Sequence, residues 1–205
     1  GGITLPLPDG IGKLVKHLGV PVAVVKSYGG GFVDPPWSDR HRRGVVESHV
    51  FVALKKDQLL SMTSDQVDQA LKDALAADPY QWQQEKGYEY RGRDLTAGLT
   101  NLLYICPKCH GEFTLVASGD HLTCNQCGMS VSMTGSGHFH WENTEPYFIH
   151  LGEWYEWEHE EEKRAVLSDP DYRYAVPVEL AMYRRSRDGI EAVGNGTMTI
   201  TREHY

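Results

Sequence analysis

The chain holds four cysteines, and all four fall in two Cys-x-x-Cys pairs, Cys106-Pro-Lys-Cys109 and Cys124-Asn-Gln-Cys127, with fourteen residues between the pairs. No other feature restricts the fold as strongly. A Cys-x-x-Cys segment closes into a tight knuckle that aims both sulfurs at one point. Two such knuckles on facing hairpins complete a tetrahedral four-thiolate site, and the spacing is that of a zinc ribbon. Four sulfur ligands fill the coordination sphere and leave no position for water or substrate, so the site is expected to be structural. Other fates are chemically open. Disulfides fit i,i+3 pairs poorly, and no signal-peptide pattern directs the chain to an oxidising compartment. A thioredoxin-like redox pair opens a helix after a strand, and neither pair here does so. Iron in a rubredoxin-type centre also suits four thiolates. Zinc is the expected metal, held by Cys106, Cys109, Cys124 and Cys127. His110 and His121 flank the knuckles and could replace a cysteine, but with four cysteines in register they are expected to be solvated neighbours.

Length and charge narrow the function classes. The 205 residues suffice for one large domain or two small ones. The formal net charge of -8 disfavours nonspecific nucleic-acid binding, which needs a basic surface against phosphates. No apolar run approaches the roughly 18 residues of a spanning helix. The opening Gly1-Gly2-Ile3 has no initiator methionine, so the chain is expected to be a piece of something longer.

The residue pattern predicts an α+β chain. Asp9 to Leu18 reads as a short helix capped by Asp9, with Ile11, Leu14, Val15 and Leu18 on one face and Gly19 at its end. The continuous apolar run from Val20 to Val25 suits a strand covered on both faces, as in a parallel sheet. Ser27 to Gly44 reads as a loop. Its Gly29-Gly30-Gly31 lacks the Gly-Lys-Ser/Thr of a phosphate loop, and its basic group Arg40-His41-Arg42-Arg43 stands out in an acidic chain. That group is read as either a solvated loop or a receiver for an anionic headgroup or phosphate. Val45 to Leu54 is a second strand with His49 pointing outward. Thr63 and Gln66 form a capping box, and Met62 with Val67 a hydrophobic staple, for a helix that stops before Pro79. Tyr80, Trp82, Tyr88 and Tyr90 are expected to pack over the sheet edge. Within the ribbon, strands flank Ser118-Gly119-Asp120, continue over Met129 to Met133, and turn at Gly135-Ser136-Gly137 into His138-Phe139-His140-Trp141. His138 and His140 would share a strand face, and a second metal site there would need further ligands. Tyr147 to Leu167 is helical in pattern. Tyr174 to Tyr183 and Thr197 to Thr201 read as strands about a turn at Gly194-Asn195-Gly196. The expected divisions are 1–100, an α/β-type domain portion; 101–141, the ribbon; and 142–205, a helix with strands.

The order of these blocks resembles the distal portion of bacterial phospholipid/glycerol acyltransferases, the 1-acylglycerol-3-phosphate acyltransferase type, a subset of which carry a zinc ribbon after the acyltransferase domain. The matching blocks are Gly12-Lys13-Leu14-Val15-Lys16, Gly19-Val20-Pro21-Val22-Ala23-Val24, Arg42-Arg43-Gly44-Val45-Val46, Asp78-Pro79-Tyr80-Gln81-Trp82-Gln83 and Leu103-Tyr104-Ile105-Cys106-Pro107-Lys108-Cys109. Together they span most of residues 3 to 141. The Val-Pro-Val strand resembles the family's fourth block, which helps line the acceptor and acyl site. The family's catalytic His, four residues, then Asp is absent: none of the ten histidines has an aspartate five positions later. The Glu-Gly-Thr-Arg block that would hold the acceptor phosphate is absent too.

The resemblance therefore implies a distal, non-catalytic part of an enzyme that moves a fatty acyl group from a thioester to a glycerol-phosphate or lysophospholipid acceptor. It implies a cytoplasmic protein, peripheral to the inner face of the membrane, whose acyl thioester and glycerophosphate acceptor bind the parent domain. Arg40, Arg42 and Arg43 are then the candidates for headgroup or membrane contact. Uncovered sheet edges would favour homo-oligomers. The alternative from the residues alone is a zinc-ribbon module that binds a protein partner, less readily RNA.

Overall fold

The computed structural model describes residues 7–8, 10–184 and 189–203. The chain forms two compact units, Gly1–Glu156 and Trp157–Tyr205. Helices and antiparallel sheets occupy separate stretches, so the class is α+β, as expected.

The first unit begins with α1 (Ile11–Leu18), whose last turn is closed by Gly19 in the left-handed region, its N–H bonded to the Val15 carbonyl. The Asp9 cap lies outside the described residues. Strand β1 (Val22–Tyr28) leads into the short helix α2 (Gly30–Val33), which takes up part of the expected glycine loop. Strand β2 (Glu47–Leu54) then pairs with β1. The expectation of a parallel, doubly covered sheet is not met. β1 and β2 run antiparallel as a two-stranded sheet, and only one face is covered. Val24 is buried, whereas Val25, Val50 and Val52 on the opposite face are 59%, 70% and 57% exposed. A continuous apolar run fits a strand buried on one face or on both, and periodicity does not separate the two.

After β2 come α3 (Lys56–Ser61), α4 (Ser64–Leu75) and α5 (Pro79–Lys86). The α4 capping box forms as predicted: Gln66 N–H donates to Thr63 Oγ1, and the Gln66 side chain accepts from the Thr63 N–H. Leu54, Leu59, Val67 and Leu71 form the core here, with Ile11, Val15, Val22 and Met62 packed against them. Leu14 and Leu18, expected on the same face of α1, are exposed. Helix α1 approaches α4 so closely at Gly12 that a Cβ there would lie 2.2 Å from the Ser64 carbonyl oxygen. Pro79 does not merely stop a helix. It occupies the first turn of α5, with Asp78 accepting from the Tyr80 and Gln81 N–H groups. The aromatic residues that follow pack against the sheet: Trp82 stacks on Tyr28 at 5.3 Å, and Tyr88 donates to Glu47.

A 3-10 turn (Leu99–Asn101) precedes the ribbon, a four-stranded antiparallel sheet of β3 (Leu115–Ser118), β4 (His121–Cys124), β5 (Ser130–Met133) and β6 (Phe139–Trp141) in sequential order. Leu115, Leu122, Cys124, Val131, Met133, Phe139 and Trp141 are among its buried side chains. Helix α6 (Leu151–Ser168) starts in the first unit, and its buried Trp154 packs among Phe139, Trp141 and Phe148 at 5.6–5.7 Å. The second unit includes the antiparallel hairpin of β7 (Arg173–Arg184) and β8 (Gly189–Thr201). The turn expected at Gly194-Asn195-Gly196 lies inside β8 instead, paired with Leu180, Glu179 and Val178. A Gly-Asn-Gly stretch marks a bulge as readily as a turn, and the register of the pair does shift between Leu180 and Ala181.

Candidate metal centre

The two knuckles are built alike. In the first, Cys106 N–H donates to the Gly111 carbonyl (3.0 Å) and His110 N–H to the Cys106 carbonyl (2.8 Å). In the second, Cys124 N–H donates to the Met129 carbonyl (2.8 Å) and Gly128 N–H to the Cys124 carbonyl (2.9 Å). The offsets are identical, so the knuckles are two copies of one turn. The fourth residue after each leading cysteine is in the left-handed region: His110 at φ 54° and Gly128 at φ 69°. The first knuckle follows Ile105, which bridges to Glu112, and the second joins β4 to β5.

These turns bring the four sulfurs within 4.8 Å of one another. Two approaches that cross between the knuckles, Cys106 to Cys127 and Cys109 to Cys124, are both 3.7 Å. No disulfide is formed. A tetrahedral ion with metal–sulfur bonds of about 2.3 Å requires sulfur–sulfur edges of about 3.8 Å. The donor set and its spacing therefore fit a four-thiolate metal ion, and all four positions would be taken by protein. Cys106 and Cys124 are buried, while Cys109 and Cys127 are half-buried.

Without an ion, the two buried thiols titrate unequally. Burial pushes Cys106 up to about 12, against backbone N–H groups of Cys109 and Lys108 that favour the thiolate. Burial acts on Cys124 in the same sense, yet the Thr114 hydroxyl and the Cys127 and Gln126 N–H groups bring it down to about 6. Thr114 Oγ1 lies 3.2 Å from Cys124 Sγ. A cation shared by all four sulfurs removes the conflict between a buried thiol and a stabilised thiolate.

The flanking histidines stay outside this group. His121 pairs with Glu142 at 2.8 Å. His138 lies 2.9 Å from the Ser136 hydroxyl, and His140 is exposed. Among the described residues, the four cysteines are the one group of three or more His, Cys, Asp or Glu side chains gathered tightly enough to hold a metal.

The basic group divides. Arg40 and Arg43 are exposed, but Arg42 turns inward and is 5% exposed. Its Nη2 donates to the Leu95 carbonyl at 2.7 Å and lies 3.9 Å from Met133 Sδ, so Arg42 ties the loop to the ribbon. Burial lowers its pKa from the usual arginine value, with Asp120 and Tyr80 acting in the opposite sense. Sequence reasoning missed Arg91 and Arg93, which wall one cleft with Arg40 and Arg43. The signal lay only in composition: every arginine before residue 164 sits in 40–43 or 91–93.

No protein-family model matches the chain, and searches of curated proteins and of solved structures return no match to it. No helix among the described residues is long and apolar enough to cross a membrane.

Proposed function

We propose that the cysteine cluster holds zinc as a structural ion, and that the chain is the distal, non-catalytic portion of an acyltransferase acting in phospholipid synthesis. The parent protein would move a fatty acyl group from a thioester to a glycerol-phosphate or lysophospholipid acceptor at the inner membrane face. The observation that carries the structural-metal half is the pair of 3.7 Å sulfur–sulfur edges across the two knuckles. Zinc bound there crosslinks the two knuckles, and it offers no open coordination site. Zinc is preferred to iron because it takes tetrahedral thiolate sites as an ordinary structural ion without redox chemistry.

The acyltransferase half is supported by the order of the sequence blocks from Gly12 to Cys109. The missing His, four residues, then Asp means that no residue here is assigned to deprotonating an acceptor hydroxyl. Acyl transfer to glycerol-phosphate and lysophosphatidate acceptors, measured with this chain and with the full product of its gene in parallel, tests the reading. Transfer by the longer protein alone is expected. Transfer by neither sinks it, and transfer by this chain alone sinks the assignment as non-catalytic. Metal analysis of protein purified without added metal should find one zinc per chain; stoichiometric iron would reverse that choice.

A second reading, a module that binds a protein partner, is favoured by the uncovered apolar face of Val25, Val50 and Val52. It predicts no binding of acyl thioester or anionic liposomes.

A further inference from the structure

Arginine is placed unevenly in this chain. Five arginines precede residue 164, and all lie in two short segments, 40–43 and 91–93. Arg43 and Arg91 are far apart in sequence, yet their backbones exchange both hydrogen bonds of an antiparallel bridge. Arg43 N–H donates to the Arg91 carbonyl at 2.8 Å, and Arg91 N–H to the Arg43 carbonyl at 2.7 Å. Directly opposed residues of an antiparallel pair carry their side chains on one face, about 5.5 Å apart at Cα in a bonded pair. The two segments wall a cleft of about 410 Å³, to which Arg40, His41, Arg43, Arg91 and Arg93 contribute with one carboxylate, Asp39.

The protein neutralises only part of the charge in this cleft. Arg40 meets Asp39 at 3.5 Å, and His41 meets Asp34 at 2.9 Å. Among the described residues, the guanidiniums of Arg43, Arg91 and Arg93 have no hydrogen-bond or ion-pair partner. Arg42 lies beneath, its stem against Gly92, where a Cβ would come within 2.9 Å of Arg42 Cγ. No carboxylate among the described residues is within ion-pair distance of Arg42. Gathering like charges around one cleft raises the local potential and opposes folding unless an anion enters. The residue type narrows the anion. Arginine's planar fork presents paired N–H donors that match phosphate oxygens, whereas lysine offers a point charge.

We propose that the cleft between Arg40–Arg43 and Arg91–Arg93 is a binding site for a phosphate monoester, with Arg43, Arg91 and Arg93 as its principal donors. A phosphate dianion matches the surplus of charge better than a monoanionic diester does. The chemistry is the same for a soluble phosphate ester and for the headgroup of phosphatidic acid. Phosphate binding does not require acyl transfer, so a negative transfer assay and a negative binding titration carry different meanings.

The test uses the metal-loaded chain. Inorganic phosphate is titrated calorimetrically, and cosedimentation is measured with phosphatidylcholine vesicles, plain or doped with phosphatidic acid or with phosphatidylglycerol. The variants are the double reversal Arg43→Glu/Arg91→Glu, the milder Arg91→Gln, and Arg173→Glu as a charge control elsewhere on the surface. The expected result is saturable phosphate binding that falls at least about tenfold in the double variant, falls less in Arg91→Gln, and is unchanged in the control. Thermal melts establish that the variants are folded, and Arg91→Gln stands in if the double variant is not. Binding to phosphatidic acid vesicles as well as phosphate identifies the source as a lipid headgroup. Binding to phosphate alone identifies a soluble ester. Absence of both, retention of both in folded Arg91→Gln and double variants, or equal capture by phosphatidylglycerol without phosphate binding overturns the proposal.

Discussion

At the scale of single residues, the duplicated knuckle turn is the most instructive detail. Gly128 sits at φ 69° with open space around its Cα, so a side chain there would meet conformational strain but no clash. Gly128→Ala should therefore cost about 1–2 kcal/mol, the ordinary cost of left-handed backbone for an L-residue, in urea unfolding of the metal-loaded protein. His110 already occupies the matching position in the other knuckle. The cysteine spacing was legible because a knuckle is a local turn whose geometry follows from four or five consecutive residues. The arginine cleft was not, because Arg43 and Arg91 meet only through one long-range bridge. The inward turn of Arg42 was hidden for the same reason: Leu95 and Met133 come from distant segments. Arg42→Ala should lower stability by about 1–3 kcal/mol, since it leaves a buried carbonyl without its donor and removes packing. Arg40→Ala, at an exposed ion pair, should change the unfolding free energy from the same urea titration by less than about 0.5 kcal/mol.

At the scale of elements, local chemistry told more than hydrophobic pattern did. The α4 box at Thr63 and Gln66 was readable because both partners lie within one turn. Helix α5 is hidden in the sequence because proline suits a helix start as well as a boundary, and Pro79 serves as both. The pairing of β1 with β2 was unreadable from an apolar run that fits either sheet type. That pair is closed at one end by Glu47, which accepts from Tyr88 at 2.7 Å and lies 3.3 Å from Lys86. The Tyr88 hydrogen bond is the largest cause that holds the Glu47 carboxyl below its ordinary 4.5, with Lys86 and His49 acting in the same sense. A carboxyl whose folded pKa is depressed contributes stability above its unfolded pKa and loses it as pH falls through the folded value. Glu142, depressed chiefly by the Ser130 hydroxyl and also by His121, adds to the same acid limb. Glu47→Gln should therefore flatten the fall in urea midpoint below about pH 4.5 and leave its neutral-pH dependence unaltered.

At the scale of the molecule, the cysteines act on one unit of the two. The ribbon is tied to the preceding segment by Thr96 N–H to the Gly119 carbonyl, Leu95 N–H to Asp120, and Tyr90 N–H to the Gly135 carbonyl. Phe32 stacks on Tyr90 at 5.1 Å and leaves room only for glycine at position 137, where a Cβ would come within 2.6 Å of the Phe32 ring. Loss of the ion should therefore destabilise more than the knuckles. Chelation, or Cys109→Ser, should remove the proposed metal and lower the melting transition of the first unit by several degrees or abolish it. The transition of the β7–β8 hairpin should not follow it. Calorimetry with and without chelator, with far-ultraviolet circular dichroism for the hairpin, reads both; unchanged melting of the metal-free protein would show that the cluster is not a structural staple.

The indole of Trp154 donates to the Ile105 carbonyl at 3.1 Å, one residue before the first cysteine of the cluster. That bond couples the indole to the first knuckle. Its ring is fully buried among Phe139, Trp141 and Phe148, so an intact knuckle holds a shielded, hydrogen-bonded fluorophore. Oxidation or alkylation of the thiolates would release Ile105, admit water to the indole, and shift tryptophan emission to longer wavelength. Tryptophan emission recorded during thiol alkylation checks this, and Trp154→Phe, against the background of the other four tryptophans, should abolish the shift.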